Sequence, residues 1–219
     1  MNDGLPLPCL MLVTDRAVCG GTEPLVRAVE EAVAGGVNAV QLREKDMPAG
    51  EFLALAQRLR HITDGKALLL INDRVGVALA CNADGVHLAE DAASVTAVRE
   101  QLGGCDMLVG RSVHSVAGLD AVGLDYVVAG PMYTTATHPG MEATGAELIA
   151  GVASVAGVPV VAIGGITMER VPEAMAAGAG GVGIIREVLK SPTPRQAAQL
   201  LRTAMEQAAE SSPAPAKLT

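Results

Sequence analysis

The sequence predicts a single (β/α)8 barrel, on three observations. Eight short apolar runs alternate with segments of helical periodicity along 219 residues, and regular alternation of strand and helix implies parallel strands joined by right-handed crossovers. The apolar half of the chain is mostly Ala, Val and Leu, with 25 Gly and 1% aromatic residues, a composition suited to strands buried on both faces. The residues after the first run are Thr14-Asp15-Arg16, without the glycine-rich turn of a doubly wound dinucleotide-binding sheet, the competing architecture.

The elements follow in order. Cys9–Val13 is the first strand, and Pro24–Ala34 spaces Leu25, Val29 and Val33 four apart on one helix face. Gly36–Leu42 carries the second strand, and Ala49–His61 is a helix with Phe52, Leu55 and Leu59 inward. Ala67–Ile71 and Ala83–Leu88 are the next strands, with helices expected over Val75–Cys81 and Ala93–Leu102. Met107–Val109 and Gly123–Val128 follow, separated by an expected helix over Val116–Val122. Ala146–Val155 is helical, and Pro159–Ile163 is the seventh strand. Met168–Ala177 is read as a helix capped by Thr167 and stopped by Gly178, Ala179–Ile184 as the eighth strand and Pro194–Gln207 as the last helix. Four strand segments (Gly36–Leu42, Ala83–Leu88, Gly123–Val128, Ala179–Ile184) share a pattern, a small-residue turn leading into an apolar run, at a spacing of roughly 40–55 residues, about two βα units. One domain over residues 1–208 with a disordered tail over 209–219 is the expected organisation.

Composition also excludes partners. Phe52, Tyr126 and Tyr133 are the only aromatic residues besides histidine, and the net charge is −8, so stacking platforms and a basic groove for nucleic acid are absent. No run approaches the ~18 apolar residues of a membrane span, and the first residues lack a basic leader region. Cys9, Cys19, Cys81 and Cys105 are far apart without C-x-x-C spacing, which predicts reduced thiols and a cytoplasmic location. A homo-oligomer is compatible with the sequence.

A barrel places its chemistry at the carboxyl ends of the strands. After strand two, period-two alternation puts Gln41, Arg43 and Lys45 on one side. Gln41 offers an amide to a heterocycle edge, while Arg43 and Lys45 offer a planar fork and a point charge to diphosphate oxygens. After strands three and four come Asn72-Asp73 and Glu90-Asp91; Asp73 with Asp91 or Glu90 would hold Mg²⁺ against a diphosphate, or would cap the following helices. After strand five, Ser112 and His114 reach the mouth, and Ser115 reads as a helix cap. The long connection after strand six carries Thr135, Thr137 and His138, with hydroxyls suited to phosphate. After strands seven and eight, Gly164-Gly165 and Ile185-Arg186 occupy the usual phosphate position of this barrel class. Two anion-binding regions imply two phosphorylated ligands or one ligand phosphorylated at both ends.

The ordered motifs QLREKD (41–46), INDR (71–74), GVHLAED (85–91), GRSVHS (110–115), GPMYTTATHPG (130–140), VVAIGGI (160–166) and GAGGVGII (178–185) resemble the thiamine phosphate synthase and thiazole tautomerase superfamily from about Leu12 to Ala208. That resemblance implies condensation of hydroxymethylpyrimidine diphosphate with thiazole phosphate, or its carboxylate, releasing diphosphate with Mg²⁺ as cofactor. It implies pyrimidine diphosphate contacts from Gln41 through Lys45, Asn72 and Ser112, and Mg²⁺ ligands at Asp73 and Asp91. It implies thiazole phosphate contacts at Thr135, Thr137, Gly164, Gly165, Ile185 and Arg186. Arg43, Lys45, Ser112 and His138 would carry the chemistry.

Three departures accompany the resemblance. Ala89-Glu90-Asp91 is one residue shorter than the synthase segment, His138 stands where the synthase has lysine, and Arg186 stands where it has serine. GRSVHS resembles the tautomerase branch, which isomerises a thiazole carboxylate phosphate by proton transfer without Mg²⁺; there His114 or His138 would be the acid/base. A histidine that some tautomerases carry after strand six is Pro131 here. A non-catalytic phosphate-ligand binder on the same barrel is the reading from a different class.

Overall fold

The structure, a computed structural model, describes residues 4–135 and 143–211. Its strands are β1 (Cys9–Val13), β2 (Ala39–Leu42), β3 (Leu68–Asn72), β4 (Gly85–Leu88), β5 (Leu108–Val113), β6 (Tyr126–Ala129), β7 (Val160–Ile163) and β8 (Gly181–Ile184). They pair in sequence order, all parallel, and β8 closes on β1. The helices are α1 (Arg16–Cys19), α2 (Thr22–Ala34), α3 (Ala49–Thr63), α4 (Val75–Ala80), α5 (Val95–Leu102), α6 (Gly145–Val155), α7 (Val171–Ala176), α8 (Arg186–Leu189) and α9 (Pro194–Ser211). The chain is therefore the predicted (β/α)8 barrel. No helix among the described residues is long and apolar enough to cross a membrane.

Alternation along the strands creates two cores. Leu10, Leu12, Val40, Leu69, Ile71, Val86, Val109, Val127 and Val182 face outward and pack against the helices, with Leu25, Val29, Leu55 and Leu59 opposite. Cys9, Met11, Ala39, Leu70, Leu108, Tyr126 and Val161 fill the barrel interior. Tyr126 is the one large ring inside, and it needs a hole. Gly110, its partner in the β5–β6 register, supplies it: a β-carbon at position 110 would collide with the Tyr126 ring.

The expected helix over Val116–Val122 is not formed; the segment is turns. The Ser115 hydroxyl accepts the Ala117 N–H (3.1 Å) and the Asp120 carboxylate accepts the Val122 N–H (3.0 Å), local bonds that compete with a helix. Thr167 stands at the N-cap of Met168–Arg170 but makes no side-chain capping bond. Its hydroxyl bonds Glu169 at 2.7 Å, and the expected Met168–Ala177 helix splits into a 3-10 turn over Met168–Arg170 followed by α7, with Pro172 in its first turn. β5 runs to Val113 instead of ending at Val109, so Arg111 and Ser112 are strand residues. Helix α1 was not anticipated; Asp15 caps it by accepting the Ala17 and Val18 N–H groups. Helix α9 continues to Ser211, past the expected domain boundary at 208; residues 212–219 lie outside the described residues.

Candidate active site

The carboxyl ends of the strands surround a cavity of about 670 Å³, within the size range of small-molecule sites. Its floor is the last inward position of each strand: Val13, Gln41, Asn72, His87, Ser112, Val128, Ile163 and Gly183 all line it. The next inward positions, Arg43, Ala89, His114, Gly130, Gly165 and Ile185, line the wall. The two-residue period of the strands therefore persists into the loops. No Phe or Tyr among the described residues lines the cavity; its apolar walls are Val and Ile.

The loop after β2 shows how the chain enforces this period. Gln41, Arg43 and Lys45 face the cavity. Glu44 is buried, accepting the Arg16 backbone N–H at 3.0 Å and Arg16 Nη1 at 3.1 Å. Arg16 also holds Asp46 through two 2.7 Å bonds, which keeps that carboxyl below its usual range. The Arg43 N–H donates to Thr14 Oγ1 at 2.9 Å, and Arg74 donates to the Met47 carbonyl at 2.8 Å. The acidic residues of QLREKD are thus clamped outside, leaving its cations inside.

Asp73 and Asp91 border one hollow beside the cavity, together with Lys45. Neither caps a helix. The N-cap of α4 is Arg74 without a side-chain bond, and Ser94 caps α5. Asp73 adopts a left-handed backbone (φ 57°); its carboxylate accepts Ala89 N–H at 2.9 Å and Asn72 Nδ2 at 2.7 Å. The Asp91 carboxylate also lines the cavity. Carboxylate oxygens are the hard donors that Mg²⁺ takes. No cluster of three or more His, Cys, Asp or Glu side chains occurs among the described residues.

The opposite arc of the rim is glycine-rich and carries two arginines, Arg170 and Arg186. Gly164 and Gly165 hold left-handed backbone angles (φ 99° and 64°). A β-carbon on Gly165 would lie 2.8 Å from Tyr133 Cβ, so glycine is required for the close approach. Arg170, which sequence reasoning did not single out, donates to the Gly165 carbonyl at 2.6 Å and stacks 4.2 Å above the Tyr133 ring. Thr135, Ile185 and Arg186 line the same arc. Thr137 and His138 lie outside the described residues.

Sequence reasoning also passed over His87. It is 2% exposed, with Nε2 2.9 Å from Ser112 Oγ and Nδ1 3.2 Å from the Tyr126 hydroxyl. Burial, with Arg43 and Arg111 nearby, pushes its pKa down to about 3, so it is neutral. The signal was available: His87 has the inward parity of β4. His114 pairs with Glu90 at the rim, Nδ1 to Oε2 at 2.8 Å. Burial raises the Glu90 carboxyl, but the His114 bonds outweigh it and leave it lowered.

A sequence model of the family described as thiamine monophosphate synthase matches residues 10–188. The chain belongs to the thiamine monophosphate synthase family. Within it, a Geobacter sulfurreducens protein named provisionally as a thiamine-phosphate synthase is 45% identical over 197 residues, 88% of this chain and 92% of the relative. The Haloarcula marismortui thiamine-phosphate synthase is 37% identical over 204 residues, 90% of this chain and 96% of the relative. Among solved structures, a Pyrococcus furiosus thiamine phosphate pyrophosphorylase superposes with a TM-score of 0.81 at 32% identity, covering 91% of this chain and 96% of that one. A 3-hexulose-6-phosphate synthase, at 18% identity and a TM-score of 0.66, shares the fold alone.

Proposed function

We propose that the protein is a cytoplasmic thiamine phosphate synthase, joining hydroxymethylpyrimidine diphosphate to thiazole phosphate and releasing diphosphate. The observation that carries this reading is one cavity with two anion regions, Arg43 and Lys45 on one arc and Gly164, Gly165, Arg170 and Arg186 on the other. The bond from the pyrimidine methylene to the diphosphate oxygen breaks, diphosphate leaving with the electron pair. The thiazole nitrogen lone pair then forms the new C–N bond.

Each group has a role in that scheme. Gln41, Asn72 and Ser112 hold the pyrimidine on the cavity floor. Arg43 and Lys45 stabilise charge as it accumulates on the departing diphosphate. Gly165, Thr135, Thr137, Ile185 and Arg186 hold the thiazole phosphate, and His138 takes the place of the family lysine. Asp73 and Asp91 would hold Mg²⁺, which when bound supplies Lewis-acid neutralisation of diphosphate. The Val and Ile walls exclude water from the cationic pyrimidine carbon.

The test is formation of thiamine phosphate by the purified protein from both substrates. With Mg²⁺ present product forms; chelation with EDTA stops it, and Asp73→Ala loses most activity. Absence of product with Mg²⁺ present overturns the reading. One observation favours the tautomerase alternative, the His114–Glu90 pair at the rim, an arrangement able to shuttle a proton. Turnover of the thiazole carboxylate tautomer, lost in His114→Ala, would support it. Thiazole phosphate binding without turnover in either assay would support the non-catalytic binder.

A further inference from the structure

A hydrogen-bonded line runs through the barrel interior from the Tyr126 hydroxyl through the His87 imidazole to the Ser112 hydroxyl, and the proposed reaction scheme uses only its last member. Its polarity follows from counting donors. The imidazole is the sole hydrogen-bond partner of the Tyr126 hydroxyl among the described residues. Tyr126 is fully buried, and a buried hydroxyl proton left undonated costs about 1–3 kcal/mol. Tyr126 therefore donates to Nδ1. A neutral imidazole with Nδ1 accepting carries its proton on Nε2, and this N–H donates to Ser112 Oγ. The Ser112 oxygen is then already an acceptor for His87. Ser112 lines the cavity, and its own proton turns toward the ligand.

We infer that His87 is a positioning residue that fixes the Ser112 hydroxyl as a donor into the cavity, so that the site reads a hydrogen-bond acceptor, a ring nitrogen, on its heterocyclic ligand. The choice of a pyrimidine as that ligand rests on the proposed function; the polarity of the line does not. The packing supports a fixed relay. The Tyr126 ring stacks near the imidazole with centroids 5.7 Å apart, and it is seated in the gap left by Gly110.

Two measurements test this. In protein labelled with ¹⁵N-histidine, long-range ¹H–¹⁵N correlation identifies the His87 tautomer, with the His87→Gln variant assigning the signal. The neutral Nε2–H tautomer is expected near neutral pH. An Nδ1–H tautomer or an imidazolium overturns the inference whether or not the protein makes thiamine phosphate. The second measurement is steady-state kinetics. His87→Asn, whose amide is too short to reach Ser112, loses about 10-fold in kcat/KM for the pyrimidine diphosphate, the scale of one lost hydrogen bond. His87→Gln restores an amide donor near the Nε2 position and stays within about threefold. KM for thiazole phosphate is unchanged in both. In a Ser112→Ala background the His87→Asn substitution costs nothing further. Additive losses would mean that His87 is only a core residue and would overturn the inference. Tyr126→Phe, which keeps the ring and the packing, supplies the same cycle if a His87 variant fails to fold. If the wild-type protein makes no product, the proposed function fails while the tautomer still decides the relay.

Discussion

Arg16 grips Asp46 through both terminal guanidinium nitrogens, at 2.7 Å each, across 30 residues of sequence. The same guanidinium reaches buried Glu44. The clamp decides which side chains of the loop after β2 face the cavity, since a strand-like segment cannot turn one residue inward without turning its neighbours outward.

Removing the clamp should therefore disturb ligand binding as well as stability. Arg16→Ala leaves Glu44 buried with only the backbone N–H of residue 16, at a cost of about 1–3 kcal/mol. It should raise KM for the pyrimidine diphosphate several-fold by freeing Arg43 and Lys45. Asp46→Asn removes an exposed charge and one of its two bonds to Arg16, and should change stability by less than about 1 kcal/mol. Urea denaturation with steady-state kinetics checks both. Equal effects from the two variants would contradict the clamp.

The glycine pair after β7 separates the two ligands. Gly165→Ala places a β-carbon on a left-handed residue (φ 64°) and 2.8 Å from Tyr133 Cβ. It should weaken thiazole phosphate binding by about 10-fold or more, the scale of 1–3 kcal/mol of local strain, and leave pyrimidine diphosphate binding near wild type. Isothermal calorimetry with each ligand reads the split.

Gly110 is required by the barrel interior. Gly110→Ala collides with the Tyr126 ring, and overpacking of this kind costs about 1–3 kcal/mol. The melting temperature should fall, and the double variant Gly110→Ala/Tyr126→Leu should be less destabilised than the sum of the two single variants. A thermal-melt double-mutant cycle tests this.

His87 makes stability depend on pH. Its pKa is about 3 in the folded protein against 6.5 ordinarily, chiefly from burial, with Arg43 and Arg111 adding to it. Between those values the unfolded chain binds a proton that the folded chain does not, so folding stability falls as pH drops from about 6.5 toward 3. The slope approaches about 1.4 kcal/mol per pH unit. His87→Gln should flatten the pH 4–6.5 limb relative to wild type, measured by urea denaturation. Parallel limbs would show that the buried imidazole does not govern it.

Much of this was legible in the chain. Strand and helix patterns alternate eight times, and a closed parallel barrel follows because period-two strands buried on both faces must be covered by helices outside and by one another inside. Arg43, Lys45, Gly164 and Gly165 were legible for the same reason, being polar or glycine residues placed just past apolar runs. The helix expected over Val116–Val122 failed because Ser115 and Asp120 bond their own backbone, and a short apolar spacing does not outweigh such turns.

Other features depend on contacts between residues far apart in sequence. The Glu44 clamp needs Arg16, the Gly164–Gly165 arc needs Arg170 folded over Tyr133, and the His87 line needs Tyr126 and Gly110 on neighbouring strands. By itself the sequence determined the barrel and the end of it that carries the cavity, because these follow from local periodicity. Only the tertiary structure decided what clamps Glu44 and Asp46 away from the cavity, that Arg170 joins its rim, and in which direction the buried hydrogen bonds run. Those outcomes depend on strand register and barrel closure, which bring together side chains far apart along the chain, such as His87 and Tyr126, 39 residues apart.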